Sequence, residues 1–209
     1  MSILRAQQIS CEKQDRILFQ DIDLSIESGE IVLLKGENGA GKTSLLRILV
    51  GLSTPVTGEV SINNCDVFDD IHQASERLIY IGHKPGISAL LTAIENLEFW
   101  CKTHAVAVAE SDIVEVLAEL GLAGLEDVPV KHLSAGQQRR VALAKLWLPH
   151  QSNIWVLDEP FTALDVHLVK DLERHIQHFV SKGGSVLMTS HQAVSIDHNV
   201  REFELEYFW

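Results

Sequence analysis

Two stretches of this chain carry residue types suited to phosphate chemistry. The first is GENGAGKT, Gly36 to Thr43. Glycine lets backbone N–H groups close around anionic oxygens, because no Cβ stands in the way. Gly36, Glu37, Asn38, Gly39, Ala40 and Gly41 would form such a cradle, with Ser44 in the turn that follows. Lys42 would reach the outer phosphates, and the Thr43 hydroxyl would ligate Mg²⁺. The second stretch is IWVLDEP, Ile154 to Pro160, an apolar run that ends in two carboxylates. Adjacent residues at a strand's end point opposite ways, so Asp158 and Glu159 can take different tasks. Asp158 would hold Mg²⁺, directly or through water, and Glu159 would polarise the attacking water. Such an acidic turn alone is more often solvated surface. Beside a phosphate cradle it supplies the two roles that ATP hydrolysis needs.

A third stretch, LSAGQQRR from Leu133 to Arg140, reads in two ways. Ser134 with Gln137 three residues on is a helix capping box. A helix start bearing Gly136 is also a second place where N–H groups can meet an anion.

These residues need elements to position them. IVLLK, before the cradle, suits a strand buried on both faces, as in parallel sheets. Thr43 to Val50 is apolar at helical spacing, and Gly51, Pro55 and Gly58 end it. DIDLSI, residues 21–26, alternates as a strand does. From Thr92 to Trp147 the pattern is mostly helical. TAIENLEFW opens on a capping box, SDIVEVLAEL stops at Gly121, and QQRRVALAKLWL predicts a third helix closed by Pro149. IWVLD and SVLMTS are strand-like, Leu164 to Val180 is helical up to Gly183-Gly184, and REFELEY alternates. The order predicts an α/β core with an antiparallel β region and a helical insertion.

Composition narrows the partners. The 209 residues suit one domain of perhaps two lobes, with 46% apolar and 22% charged residues. The formal net charge of −12 argues against general nucleic-acid binding, which draws on Lys and Arg. No apolar run is long enough to span a bilayer, and MSILRAQQIS lacks the apolar core of a secretory signal. Cys11, Cys65 and Cys101 are too widely spaced for a zinc site and odd in number, so free thiols in a reducing cytosol are expected.

Taken together, GENGAGKT, LSAGQQRR, IWVLDEP, ALD (Ala163 to Asp165) and SVLMTSH resemble the motif set of ABC transporter ATP-binding subunits, in that family's order and spacing. The resemblance implies a phosphate-loop nucleotide hydrolase fold over 1–209. Its RecA-like core would cover about 1–83 and 149–209, and its helical subdomain about 84–148. It also answers why there are two anion-binding helix ends. Two such chains, or this chain and a paired ATP-binding subunit, would meet head to tail. Ser134, Ala135, Gly136 and Gln137 of one would then cap the ATP held by Lys42 of the other. The same matching implies that Asp165 lies at the dimer interface and that His191 contacts the γ-phosphate and the water site.

The chain departs from the family at three places. Where most members carry a hinge glutamine, YIGHKPG places His83, which inherits the sensor role as an expectation. No aromatic residue stands before the second strand to stack on adenine. Either the Arg16 guanidinium plane serves or the base is loosely held, which implies weak base selectivity. Ala135 replaces a family glycine. With these variants the chain is most similar to the ATP-binding subunits of haem exporters in bacterial cytochrome c maturation. That likeness implies integral membrane permease partners, haem-handling membrane proteins and a peripheral place on the cytoplasmic face of the inner membrane. Nothing in the residues themselves selects haem. Cys101 and His104 alone do not make a haem site, and none is expected in this chain. Phe99 and Trp100 suit either a partner groove or the core of the helical block. The alternatives are an ABC subunit of another exporter, a soluble ABC ATPase acting on nucleic acid or ribosomes, and a module that binds ATP without hydrolysing it.

Overall fold

IVLLK is buried at four of its five positions, as its unbroken apolar run requires. It is one strand of nine in a computed structural model that describes residues 2–70, 73–74, 76–192 and 195–206. The strands among the described residues are β1 (Ser2–Lys13), β2 (Arg16–Glu27), β3 (Ile31–Lys35), β4 (Thr57–Ile62), β5 (Cys65–Asp66), β6 (Leu78–Ile81), β7 (Ile154–Leu157), β8 (Ser185–Thr189) and β9 (Val200–Glu204). The α-helices are α1 (Lys42–Leu49), α2 (Ala93–Thr103), α3 (Glu110–Glu119), α4 (Ala135–Leu143) and α5 (Val166–Ser181).

The chain divides into two compact units. One comprises Met1–His83, Ser152–Pro160 and Leu172–Trp209; the other comprises Lys84–Gln151 and Phe161–Asp171. The bounds implied by the resemblance, about 149–209, place 161–171 in the core. In the structure this segment falls with the helical unit, where Arg140 holds Asp165 and Gly136 admits the Ala163 carbonyl.

The first unit holds two sheets. An antiparallel sheet runs β2-β1-β4-β5. Its β1–β2 connection is a two-residue turn, Gln14 and Asp15, with φ 52° and 59°. Asn63 and Asn64, at φ 52° and 63°, turn β4 into β5 in the same way. Two successive positive φ values are the hairpin geometry whose twist matches the strands it joins. Asn tolerates that region better than most residues because its side chain bonds locally. β1 is irregular, with register shifts against both neighbours and Gln8 at φ 50°.

The second sheet is fully parallel, in the order β6-β7-β8-β3-β9. β7 and β8 are buried throughout. One apolar cluster joins Leu4, Ile9 and Phe19 of the antiparallel sheet to Leu45 and Leu49 of α1 and to Val32, Val156 and Leu187 of the parallel sheet. Burying a Leu or Ile side chain stabilises by about 1.5–3 kcal/mol. The cluster thereby fixes α1 against the strand that leads into it.

The helical unit starts α2 on a complete capping box. Thr92 Oγ1 accepts from Glu95 N, and Glu95 Oε2 accepts from Thr92 N. The third predicted helix is shorter than QQRRVALAKLWL suggests. α4 gives way to a 3-10 turn, Ala144–Leu146. Pro149 disfavours helical backbone at the residue before it, and the final turn tightens. The last strand, Val200–Glu204, takes in the first four residues of REFELEY, and Tyr207 lies outside the described residues. Among the described residues no helix is long and apolar enough to cross a membrane.

Candidate functional site

The chemistry-bearing residues of the first unit gather where parallel strands end. β3 runs into the glycine loop, β7 into Asp158 and Glu159, β8 into Ser190 and His191, and β6 into Gly82 and His83. The crevice at the carboxyl ends of such strands is where open α/β sheets bind ligands.

The glycine loop is shaped by close approach. Gly36 has φ 139°, and a Cβ there would sit 2.6 Å from the Leu205 carbonyl oxygen. Gly41, at φ 100°, is the left-handed residue before α1, and no side chain caps that helix. Its first-turn N–H groups therefore face the loop as anion donors. The Lys42 ammonium donates to Gly36 O at 2.6 Å and to Glu37 O at 3.1 Å. These bonds fold the lysine back over the loop that Glu37, Asn38, Gly39 and Ala40 build, and Ser44 continues the helix.

One chain of contacts joins the acidic residues to this loop. Thr43 Oγ1 donates to Asp158 Oδ2 at 2.8 Å. Thr189 Oγ1 donates to Asp158 Oδ1 at 2.8 Å and accepts from the Glu159 backbone N–H at 2.8 Å. Glu159 Oε1 lies 3.1 Å from His191 Nε2, and both side chains keep access to solvent. Asp158 is only 2% exposed. A hydroxyl and a buried carboxylate beside a phosphate cradle are hard oxygen donors of the kind Mg²⁺ takes, with phosphates completing its shell. Thr43 and Asp158 therefore fit that ion.

Glu159 stands at φ 50°, an unusual region for a residue with a long side chain. The Thr189 hydroxyl uses its donor on one acidic residue and an acceptor lone pair on the next. It therefore ties the strained backbone of Glu159 to the buried carboxylate of Asp158. The motif SVLMTSH assigns a role to His191 and none to Thr189. A hydroxyl at the end of a wholly buried strand was a signal, because buried hydroxyls are nearly always bonded. His83 is exposed, two residues beyond Ile81, whose carbonyl accepts from Asp158 N at 2.8 Å.

In the helical unit, LSAGQ folds as a reciprocal cap. Ser134 Oγ accepts from Gln137 N at 3.3 Å, and Gln137 Oε1 accepts from Ser134 N at 2.8 Å. The box leaves the N–H groups of Ala135 and Gly136 at the helix start, together with the Ser134 hydroxyl proton. Those are three donors on one helix end. Gly136 has a reason within its own chain too, since a Cβ would come within 2.9 Å of Ala163 O.

Asp165 is committed on both oxygens. Oδ1 accepts from His167 N and Leu168 N, each at 3.0 Å, which caps α5. Oδ2 accepts from Arg140 at 2.6 Å. The Leu168 N–H, then the His167 N–H and the Arg140 guanidinium, hold its carboxyl below the usual range. Arg140 also donates to Leu120 O at 3.2 Å, so from α4 it braces both the end of α3 and the start of α5.

A family model described as ABC transporter matches residues 19–162, more than half of the chain. The chain belongs to the ABC transporter family. This ABC cassette is 46% identical over 199 residues to the cytochrome c biogenesis ATP-binding export protein CcmA of Escherichia coli K12, covering 94% of this chain and 92% of the relative. The CcmA protein of Shigella sonnei matches to the same extent. Among solved structures, an ATP-binding subunit of an ABC transporter superposes with a TM-score of 0.82 at 26% identity, over 90% of this chain and 79% of that one. A dimeric ATP-binding cassette bound to ADP and phosphate reaches 0.83 over 98% and 96%, at 24% identity. The cassette described here is thus an ATP-hydrolysing subunit of the ABC type, with the mixed α/β fold its motifs implied.

Proposed function

We propose that this ABC cassette drives an export complex of cytochrome c biogenesis, with haem delivery as the task that its hydrolysis powers. The likeness to CcmA over nearly the whole of both chains supports that assignment. In this reading the cassette is peripheral, held on the cytoplasmic face of the inner membrane by integral permease subunits and working beside haem-handling membrane proteins. Nucleic acid is not a partner, in keeping with a net charge of −12.

The observation that carries the hydrolytic mechanism is the contact chain Thr43–Asp158–Thr189–Glu159–His191. The loop N–H groups from Gly36 to Gly41, Lys42 and the start of α1 bind the triphosphate. Mg²⁺, when bound, neutralises phosphate charge, and Thr43 and Asp158 hold it. Glu159 draws a proton from the attacking water, and His191, at 3.1 Å from that carboxylate, orients it and meets the terminal phosphate. The donors of Ser134, Ala135 and Gly136 serve the terminal phosphate held by a second cassette, as two cassettes close on their nucleotides. A dimeric relative of the same fold has been captured with ADP and phosphate. ATP then favours the closed pair by making contacts that the open pair lacks, and loss of the terminal phosphate releases it. Asp165, anchored by Arg140, sets the segment between the two motifs, and His83 reports the state of the site from the end of β6.

Glu159→Gln tests the mechanism. Turnover should fall by about a hundredfold to a thousandfold while ATP binding persists, with an ATP-bound dimer eluting early on gel filtration. Rapid turnover in that variant would remove Glu159 from the role. Purification of the native complex from membranes, followed by identification of its other chains, tests the assignment to cytochrome c biogenesis.

A further inference from the structure

His191 stands on the loop that joins β8 to β9, and its place depends on what holds that loop. Its side chain is 54% exposed and, among the described residues, meets Glu159 alone, at 3.1 Å. A ring with one neighbour goes where its backbone carries it. On the amino side the backbone is fixed, because β8 ends at Thr189, which is bonded to Asp158 and Glu159. Directly after it, Ser190 Oγ accepts from Gln192 N at 3.1 Å and donates to Gln192 O at 2.9 Å. The chain therefore turns around His191.

On the carboxyl side the hold comes from α5. Glu173 Oε1 accepts from Ser195 N at 2.7 Å, and Gln177 Nε2 donates to Asp197 O at 2.8 Å. The two spacings match. Glu173 and Gln177 share one face of the helix, about 6 Å apart along its axis. Ser195 and Asp197 are two residues apart, about 6.6 Å in extended chain. Between them Ile196 is buried. His198 Nε2 lies 2.9 Å from Gly29 O, which pins the loop once more before β9. All of these residues belong to the first unit.

Both bonds from α5 lie at the surface. Water can serve Ser195 N and Asp197 O there, so the two bonds add little to folding. What they add is position. A loop gripped at two points by one helix face cannot slide along that helix.

We propose that Glu173 and Gln177 are positioning residues for ATP hydrolysis: by fixing Ser195 and Asp197 against α5, they hold the preceding turn so that His191 stays against Glu159. The proposal rests on the reading of His191 as the residue that orients Glu159 and meets the terminal phosphate. It adds what keeps His191 there. Both residues act through the loop, so they govern kcat rather than the binding of ATP.

Steady-state ATP turnover of the native complex tests it, with Glu173→Ala, Glu173→Gln, His191→Ala and the Glu173→Ala/His191→Ala double variant. Glu173→Ala should lower kcat about tenfold or more, as misplacing a reacting group by about 1 Å does, with KM for ATP changed by less than about twofold. Glu173→Gln should keep most of the rate, because its amide oxygen still accepts from Ser195 N. On the residual rate of His191→Ala, the added Glu173→Ala should cause no further loss. Unchanged kcat in Glu173→Ala overturns the proposal. So does an equal loss with and without His191, which marks an effect on folding that bypasses the histidine. Gln177→Leu leaves Glu173 in place and should lower kcat about threefold, again only where His191 is present. It decides the outcome if Glu173→Ala fails to fold, and an unchanged kcat there overturns the proposal too. Full turnover in His191→Ala sinks the His191 reading and the proposal with it. Loss in His191→Ala beside full turnover in Glu173→Ala sinks the proposal alone.

Discussion

Lys145 gives a stability prediction whose size follows from its surroundings. Its pKa falls from 10.5 to about 8 because burial penalises the charged form. At about 1.4 kcal/mol per unit, the isolated chain at pH 7 carries a penalty of about 3 kcal/mol at this one residue. Lys145→Met removes the charge and keeps an unbranched stem along the same wall. The variant should therefore be more stable than wild type by about that amount. For a chain of this length that is about 6–12 °C in melting temperature. The pH dependence has a definite sign. The folded-state pKa lies below the unfolded one, so the unfolded chain binds the proton more tightly. The penalty is full below pH 8, shrinks as pH rises towards 10.5, and vanishes above it. The stability gap between Met variant and wild type should close over that same window. Differential scanning fluorimetry and urea unfolding of both proteins, at pH 7 and near pH 10.5, read it directly, because titrations shared by the two proteins cancel. A Met variant that melts below wild type, or a gap unchanged between the two pH values, would refute the reasoning.

Other outcomes follow from the nucleotide site. Thr189→Val should reduce kcat about tenfold to a hundredfold with little change in KM for ATP, because a charge-assisted hydrogen bond and the support of Glu159 are lost together. Thr189→Ser should recover most of the rate, whereas a purely structural role would show equal loss of folding in both. Lys42→Ala should abolish tight ATP binding, as measured by equilibrium dialysis, since the ammonium that spans the loop is gone. Ser134→Arg should leave nucleotide binding by the single chain intact and prevent the ATP-dependent dimer. Light scattering in the presence of ATP and the Glu159→Gln background checks this.

The site was more legible than its supports. GENGAGKT, IWVLDEP and LSAGQ announce themselves because the phosphate chemistry proposed for them would fix residue types at fixed spacings. The capping boxes at Thr92 and Ser134 were visible because the motif needs a hydroxyl and a Glu or Gln three residues on, and both formed. β1 went unread because its irregular pairing and the positive φ of Gln8 break the two-residue period on which strand recognition depends. The hairpin turns at Gln14-Asp15 and Asn63-Asn64 lack glycine, so the usual sign of positive φ was missing. Thr189 was hidden in an apolar strand, where its value depends on two carboxylates about thirty residues earlier in the chain. The affinity of 161–171 for the helical unit rests on Arg140–Asp165 and on a backbone approach to Gly136, neither of which leaves a periodic trace.

The strand that carries the glycine loop is flanked entirely by late arrivals. Ile31 pairs with Val186 on one side and Val200 on the other, 155 and 169 residues further along the chain. During synthesis the loop therefore emerges long before either neighbour exists, and closing so wide a span is entropically slow. A nascent chain thus displays the whole Gly36–Thr43 segment before the strand that carries it has a parallel neighbour on either side. That strand can take its buried central place in the sheet only once β8 and β9 have been made.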